Sequence, residues 1–118
     1  MDLKIYHYSK CGTCRNALKW LKANGIEGEM IDITTNPPSK AELQKIVADS
    51  GLEIKAFFNT SGEVYKAMKL KDQLPSMSED EKLSLLASNG RLIKRPIIAG
   101  GSKATVGFKE EQFAQVWG

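Results

Sequence analysis

Cys11 and Cys14 are the only cysteines among 118 residues, and they stand three apart in Cys11-Gly12-Thr13-Cys14. A thiol of ordinary pKa, about 8.5, is only a few per cent ionised at neutral pH, yet the thiolate is the form that attacks. Such a pair therefore needs an element that stabilises an anion. The start of a helix is one, because its first backbone N–H groups lack partners and its dipole is positive there. Lys10 and Arg15 add charge of the same sign on either side of the motif. A spacing of three brings Cys14 one helical turn along on the same face, within reach of a mixed disulfide formed at Cys11. Metal binding fits less well, since the single histidine, His7, cannot complete an ordinary Cys/His zinc set, and no metal is expected. The cysteines are thus redox-active, nucleophilic or simply packed, and Cys14, in register with Leu18 and Leu21, also suits a place in the core.

The flanking pattern puts a strand before the motif and a helix after it. Residues 3–8 set Leu3, Ile5 and His7 against Lys4, Tyr6 and Tyr8 with strand alternation. A helix is expected from about Thr13, with Cys14, Leu18 and Leu21 at i, i+4, i+7 and a stop at Asn24-Gly25. A second strand over 29–33 completes a strand-helix-strand unit, which lays its strands side by side and parallel. After the Asn36-Pro37-Pro38 break, Ser39 and Glu42 form a capping-box pattern ahead of Leu43, Ile46 and Val47. Further helices are expected over 64–68 and from Ser78, again with a Glu three residues on, through Leu83, Leu85 and Leu86 to Asn89-Gly90. Runs 96–99 and 104–107 read as a hairpin around residues 100–103, and 108–117 as a last helix with Phe113, Val116 and Trp117 on one side. This order predicts a single α/β domain over 1–118: a thioredoxin-like fold, a mixed four-stranded sheet flanked by helices with a helical insertion.

Composition narrows the function. With 42% hydrophobic and 26% charged residues the chain is of ordinary globular type, and no stretch approaches the roughly 20 apolar residues of a membrane helix. The opening MDLKIYHYSK is too polar for a signal-peptide core, which predicts a cytoplasmic protein, and a monomer is expected. The net charge of +3 is spread without a run of five like charges, so no direct nucleic-acid contact is expected. Phe57 and Phe58 read as core or groove wall, because only three arginines, Arg15, Arg91 and Arg95, could accompany a stacking platform.

Through YHYSKCGTCRNALKWL at its start and KRPI at residues 94–97, the sequence resembles the ArsC/Spx group of thioredoxin-fold proteins. That group includes glutaredoxin-dependent arsenate reductases, the Spx/MgsR regulators and uncharacterised relatives. The resemblance implies that Cys11 is the nucleophile, that Arg15 is the arginine of the CGT-x-RN segment and that Arg95 contacts a bound oxyanion. It also implies that Pro96 is a cis residue beside the active cysteine and that His7 influences that cysteine. Cys11, Cys14 and Arg95 are therefore catalytic candidates, and Gly12, Thr13, Arg15, Pro96 and His7 line up as substrate-binding candidates. Plainer readings stand beside these: His7 as an inward strand residue held by a backbone group, Arg95 as partner to a carboxylate.

The resemblance leads to a thiol-dependent reductase acting on a small oxyanion or a disulfide, with no bound cofactor and with glutathione and glutaredoxin, or thioredoxin, as electron donor. Two departures favour disulfides. Where the arsenate reductases usually carry a second arginine the chain has Asn59, and near the last hairpin it offers only Lys103 for a third; Lys10, Lys103 and Arg15 are the expected partial substitutes. Cys14, at a position those enzymes generally leave without a cysteine, matches the C-x-x-C of Spx. The alternative is thus an Spx-like redox switch that binds the C-terminal domain of the α chain of RNA polymerase, with Gly51 near a glycine of that contact, although the chain stops at Gly118 without a longer basic tail. A redox-inert binding module is the third reading.

Overall fold

The computed structural model of the protein describes residues 3–118. Strand β1 (Lys4–His7) leads into helix α1 (Gly12–Ala23) and strand β2 (Glu29–Asp32). Helices α2 (Lys40–Ser50), α3 (Glu63–Ala67), α4 (Leu70–Gln73) and α5 (Glu79–Ser88) follow, and strands β3 (Ile97–Gly100) and β4 (Lys103–Val106) with helix α6 (Glu110–Val116) close the chain. The sheet order is β2-β1-β3-β4, with β1 parallel to β2 and antiparallel to β3, and β3 antiparallel to β4. This is the mixed four-stranded sheet of the thioredoxin-like fold.

Several expected boundaries shift. β1 ends at His7, so Tyr8 and Lys10 lie in the loop that carries the cysteines, and α1 starts at Gly12 with Cys11 as its N-cap. The last helix is shorter than 108–117: Phe108 lies before it and meets Phe113 edge to face at 4.8 Å. The middle is more broken than expected, with 3-10 turns over Ile54–Phe57, Leu74–Ser76 and Gly90–Leu92 that have no periodic signal in so short a span. The hairpin turn contracts to Gly101-Ser102, because Gly100 pairs with Lys103 and Gly101 takes a φ of 59°, open to glycine. Both expected capping boxes are present, Ser39 with Glu42 and Ser78 with Glu81.

Both faces of the sheet are covered, which the alternation in β1 did not indicate. Leu3 and Ile5 pack with Ala17, Leu21, Ile98 and Phe113 on the α1 and α6 side. Tyr6, set by alternation on the side opposite Leu3 and Ile5, is buried with Leu43, Phe57, Leu86 and Ile97 on the other face. Its hydroxyl donates to Glu42 Oε2 at 3.1 Å, which satisfies the one polar group the burial leaves. Among the described residues no helix is long and apolar enough to cross a membrane.

Candidate active site

The loop from β1 to α1 delivers Cys11 to the helix start. The Cys11 N–H donates to the Tyr8 carbonyl at 3.1 Å, and the Cys11 carbonyl accepts from Arg15 N–H at 3.1 Å as the first turn closes. Its side chain then caps that turn: Sγ accepts from the Cys14 N–H at 3.4 Å. Cys11 is half-buried, Cys14 is fully buried one turn further in, and both are free thiols.

The two environments drive the two thiols apart. Partial burial by itself pushes the Cys11 thiol up, but the Cys14 amide and side chain and then the Arg95 guanidinium outweigh it, so its pKa falls below the ordinary value. Cys14 is pushed up to about 12, first by burial and also by its neighbour Cys11, with the Tyr8 backbone and Arg95 only partly offsetting this. Arg95 lies over the Tyr8 ring, 4.8 Å from its centroid, and its Nη1 is buried without a hydrogen-bond partner. A donor left unpaired beside a thiol is placed to take an anion. No carboxylate pairs with Arg95 among the described residues, and the Arg95–Pro96 peptide bond is cis.

Cys11 opens into a cleft of about 610 Å³ that Thr13, Asn59, Lys94, Arg95 and Lys109 help to line. Four separate stretches of chain meet there, and backbone bonds tie two of them: Asn59 N–H to the Leu92 carbonyl and Lys94 N–H to the Phe57 carbonyl, both at 2.7 Å. Gly62 closes against Asn59, where a Cβ would stand 2.6 Å from Asn59 Nδ2, so glycine is required to keep that amide in place.

Cys11, Thr13 and Arg95 of the sequence-derived candidates line this cleft; Gly12, Arg15, Pro96 and His7 do not. Arg15 is exposed on α1, and Pro96 is buried behind the site with its carbonyl accepting from Gly107 N–H at 2.9 Å. His7 faces Asp32 across the β1–β2 pairing, and its carbonyl holds Ile33 N–H at 2.9 Å. The expected substitutes for missing arginines are also elsewhere: Lys10 and Arg15 are outside the cleft, and Lys103 Nζ donates to the Val116 carbonyl at 3.3 Å. Lys94, Lys109 and Glu63, which sequence reasoning missed, line it instead. Only Lys94 had a local signal, its place beside Arg95. Among the described residues no three His, Cys, Asp or Glu side chains gather as a metal site.

The fold and the capped thiol define a thioredoxin-like protein with a thiol site at the N-terminus of its first helix. Comparison with known proteins is specific. The ArsC family model matches residues 6–116, and the chain belongs to the ArsC family. It is 56% identical to the uncharacterised protein YusI of Bacillus subtilis over 117 residues, 99% of each chain. It is 36% identical to an arsenate reductase of Rhizobium meliloti over 98 residues, 83% of this chain and 69% of that one. An ArsC family related protein of Bacteroides fragilis superposes with a TM-score of 0.94 at 43% identity, over 98% of this chain and 97% of that one. The family supports a thiol-dependent, reductase-like activity.

Proposed function

We propose that this protein is a cytoplasmic thiol-dependent oxidoreductase in which Cys11 is the nucleophile and Cys14 the resolving thiol. One observation carries the reading. Cys11 caps α1 at the mouth of the cleft with its pKa lowered, while Cys14, one turn inside, is buried and held protonated. This arrangement makes Cys11 the more readily ionised thiol and keeps Cys14 as a protonated reserve behind it. Attack by Cys11 on a substrate sulfur exposes the new mixed disulfide to Cys14, which closes the Cys11–Cys14 disulfide and releases the product. Glutathione with glutaredoxin, or thioredoxin, then returns two electrons.

Disulfide exchange is proposed as the better activity and arsenate reduction as weak or absent, because Asn59 stands where an arginine would be expected and the last hairpin offers only Lys103, whose Nζ donates to the Val116 carbonyl. Two lost charge-assisted hydrogen bonds, about 1.5–3 kcal/mol each, correspond to about 10² to 10⁴ in rate. The test is turnover of the purified protein with arsenate and with a model disulfide, each with both donor systems. Efficient arsenate reduction that survives Cys14→Ser would overturn the assignment.

The regulator reading draws on the resemblance to Spx. Gly51 supplies it no separate argument: it is exposed at the C-cap of α2 with a φ of 70°, a conformation that explains a glycine there as a helix stop.

Alkylation reads the thiol assignment directly. At mildly acidic pH iodoacetamide is expected to label Cys11 ahead of Cys14 by at least about tenfold, as read by peptide mass mapping. Preferential labelling of Cys14 would reverse the roles.

A further inference from the structure

We infer that Lys94 makes this site selective for disulfides bearing a carboxylate near the reacting sulfur, an inference that rests on Cys11 being the attacking thiol. The backbone of Lys94 is anchored by its N–H bond to the Phe57 carbonyl, while its side chain is exposed and runs over Gly107. A Cβ at position 107 would stand 3.1 Å from Lys94 Cε and 3.5 Å from Nζ, so the space Lys94 occupies is the space a side chain at 107 would claim. Gly107 itself is buried at a φ of 76°, a region that suits glycine.

The ammonium is free to serve a ligand. Among the described residues Lys94 makes no ion pair, whereas Lys4, Lys40 and Lys45 are each engaged by a carboxylate. In the cleft it joins Arg95 and Lys109, three cations facing the single carboxylate of Glu63. A cleft of about 610 Å³ lies within the range of about 300–1,000 Å³ that holds drug-sized molecules and exceeds the need of one tetrahedral oxyanion. Lysine also presents a mobile point charge without the planar fork of arginine, which suits a carboxylate whose distance from the sulfur varies between substrates. An acidic disulfide satisfies volume, charge and reacting atom together.

The chemistry balances. The Cys11 thiolate attacks one sulfur of the substrate, a new S–S bond forms to Cys11, and the other half leaves as a thiolate. Cys14 then gives its proton to solvent and attacks Cys11 Sγ; the second half leaves as a thiolate, and two electrons have passed from the dithiol to the substrate.

The experiment uses the reduced full chain with two chromogenic disulfides, dianionic dithiobis(nitrobenzoate) and neutral dithiodipyridine, in stopped-flow at low and high salt. Lys94→Gln is expected to slow the dianion about fivefold while leaving the neutral probe within about twofold. Lys94→Arg keeps the preference, and salt erodes the rate with the dianion more steeply in the wild-type and Lys94→Arg proteins than in Lys94→Gln, where only Arg95 and Lys109 remain. An unchanged ratio of the two rates in Lys94→Gln overturns the inference and leaves the role of Cys11 intact. An equal fall with both probes overturns it too, because Lys94 would then act through the thiol. Failure of Cys11 to react with either probe overturns the reading of the nucleophile itself.

Discussion

At the residue scale the site separates two chemically identical side chains by one helical turn. Cys11 is half-buried and meets the amide of Cys14 and the Arg95 guanidinium, while Cys14 is almost wholly buried, and that burial is the first cause that raises its pKa. Arg95→Gln removes the only full charge among the causes that lower Cys11. The Cys11 alkylation profile is then expected to move to higher pH, with a slower rate at mildly acidic pH, as read by iodoacetamide labelling across pH. The same change is expected to cost no more than about 1 kcal/mol in urea unfolding, since the guanidinium contributes one stacking contact and leaves Nη1 unpaired. Large destabilisation would instead make Arg95 a structural residue. The thiols also predict the pH dependence of stability. A depressed folded-state pKa gives Cys11 a stabilising contribution that is complete above the unfolded thiol value of about 8.5 and is lost as pH falls through the folded value. Cys14, with its pKa raised, acts oppositely and destabilises the reduced protein once pH exceeds about 8.5. Stability of the reduced protein is therefore expected to peak near that pH, and Cys11→Ser is expected to remove the rise on its acidic side.

At the element scale α2 and α5 start with the same device and differ in what else it holds. Glu81 returns to its own cap at Ser78, with Ser78 N–H donating to it at 3.1 Å. Glu42 does the same for Ser39 and also takes the Tyr6 hydroxyl at 3.1 Å and Lys4 Nζ at 3.4 Å, tying α2 to the central strand. Burial first, and Glu42 next, hold the Tyr6 hydroxyl protonated. Glu42→Ala is expected to destabilise by about 1 kcal/mol more than Glu81→Ala, because it also leaves a buried hydroxyl without an acceptor. Chemical denaturation of both variants, each with and without Tyr6→Phe, checks this. The excess should vanish in the Tyr6→Phe background.

At the scale of the whole molecule the end of the helical middle is sewn back to the strand that precedes it. Gly90 lies directly on the end of β2, where a Cβ would stand 1.7 Å from the Ile33 carbonyl oxygen. No side chain fits there without separating the segment 90–95, and with it Arg95, from the sheet. Gly90→Ala is expected to destabilise by more than about 2 kcal/mol and to slow Cys11 alkylation as well. Gly12→Ala, in open space in the first turn of α1, is expected to be neutral or stabilising by up to about 1 kcal/mol. Thermal unfolding of the pair measures the contrast, and equal effects would show that the Gly90 approach is not a tight constraint.

Features under local chemical control are readable along the chain. Strand β1, helix α1 and its capping thiol, the two capping boxes and the hairpin follow from alternation, periodicity, cap residues and glycines, each acting within a few residues. Cys11 was legible for the same reason, because it stands at the start of a helix, whereas Arg95 was legible through the family resemblance of the KRPI motif. What surrounds them is set by packing between distant segments. Tyr6 is buried because a second layer covers its face of the sheet. Asn59, Lys94 and Lys109 enter the cleft from stretches far apart in the chain, whereas Arg15, only four residues from Cys11, points away. Neighbourhood along the chain fixes the turn of helix on which a side chain lies; which cations reach the thiol depends on contacts between distant segments, and those form only when the sheet and its layers pack.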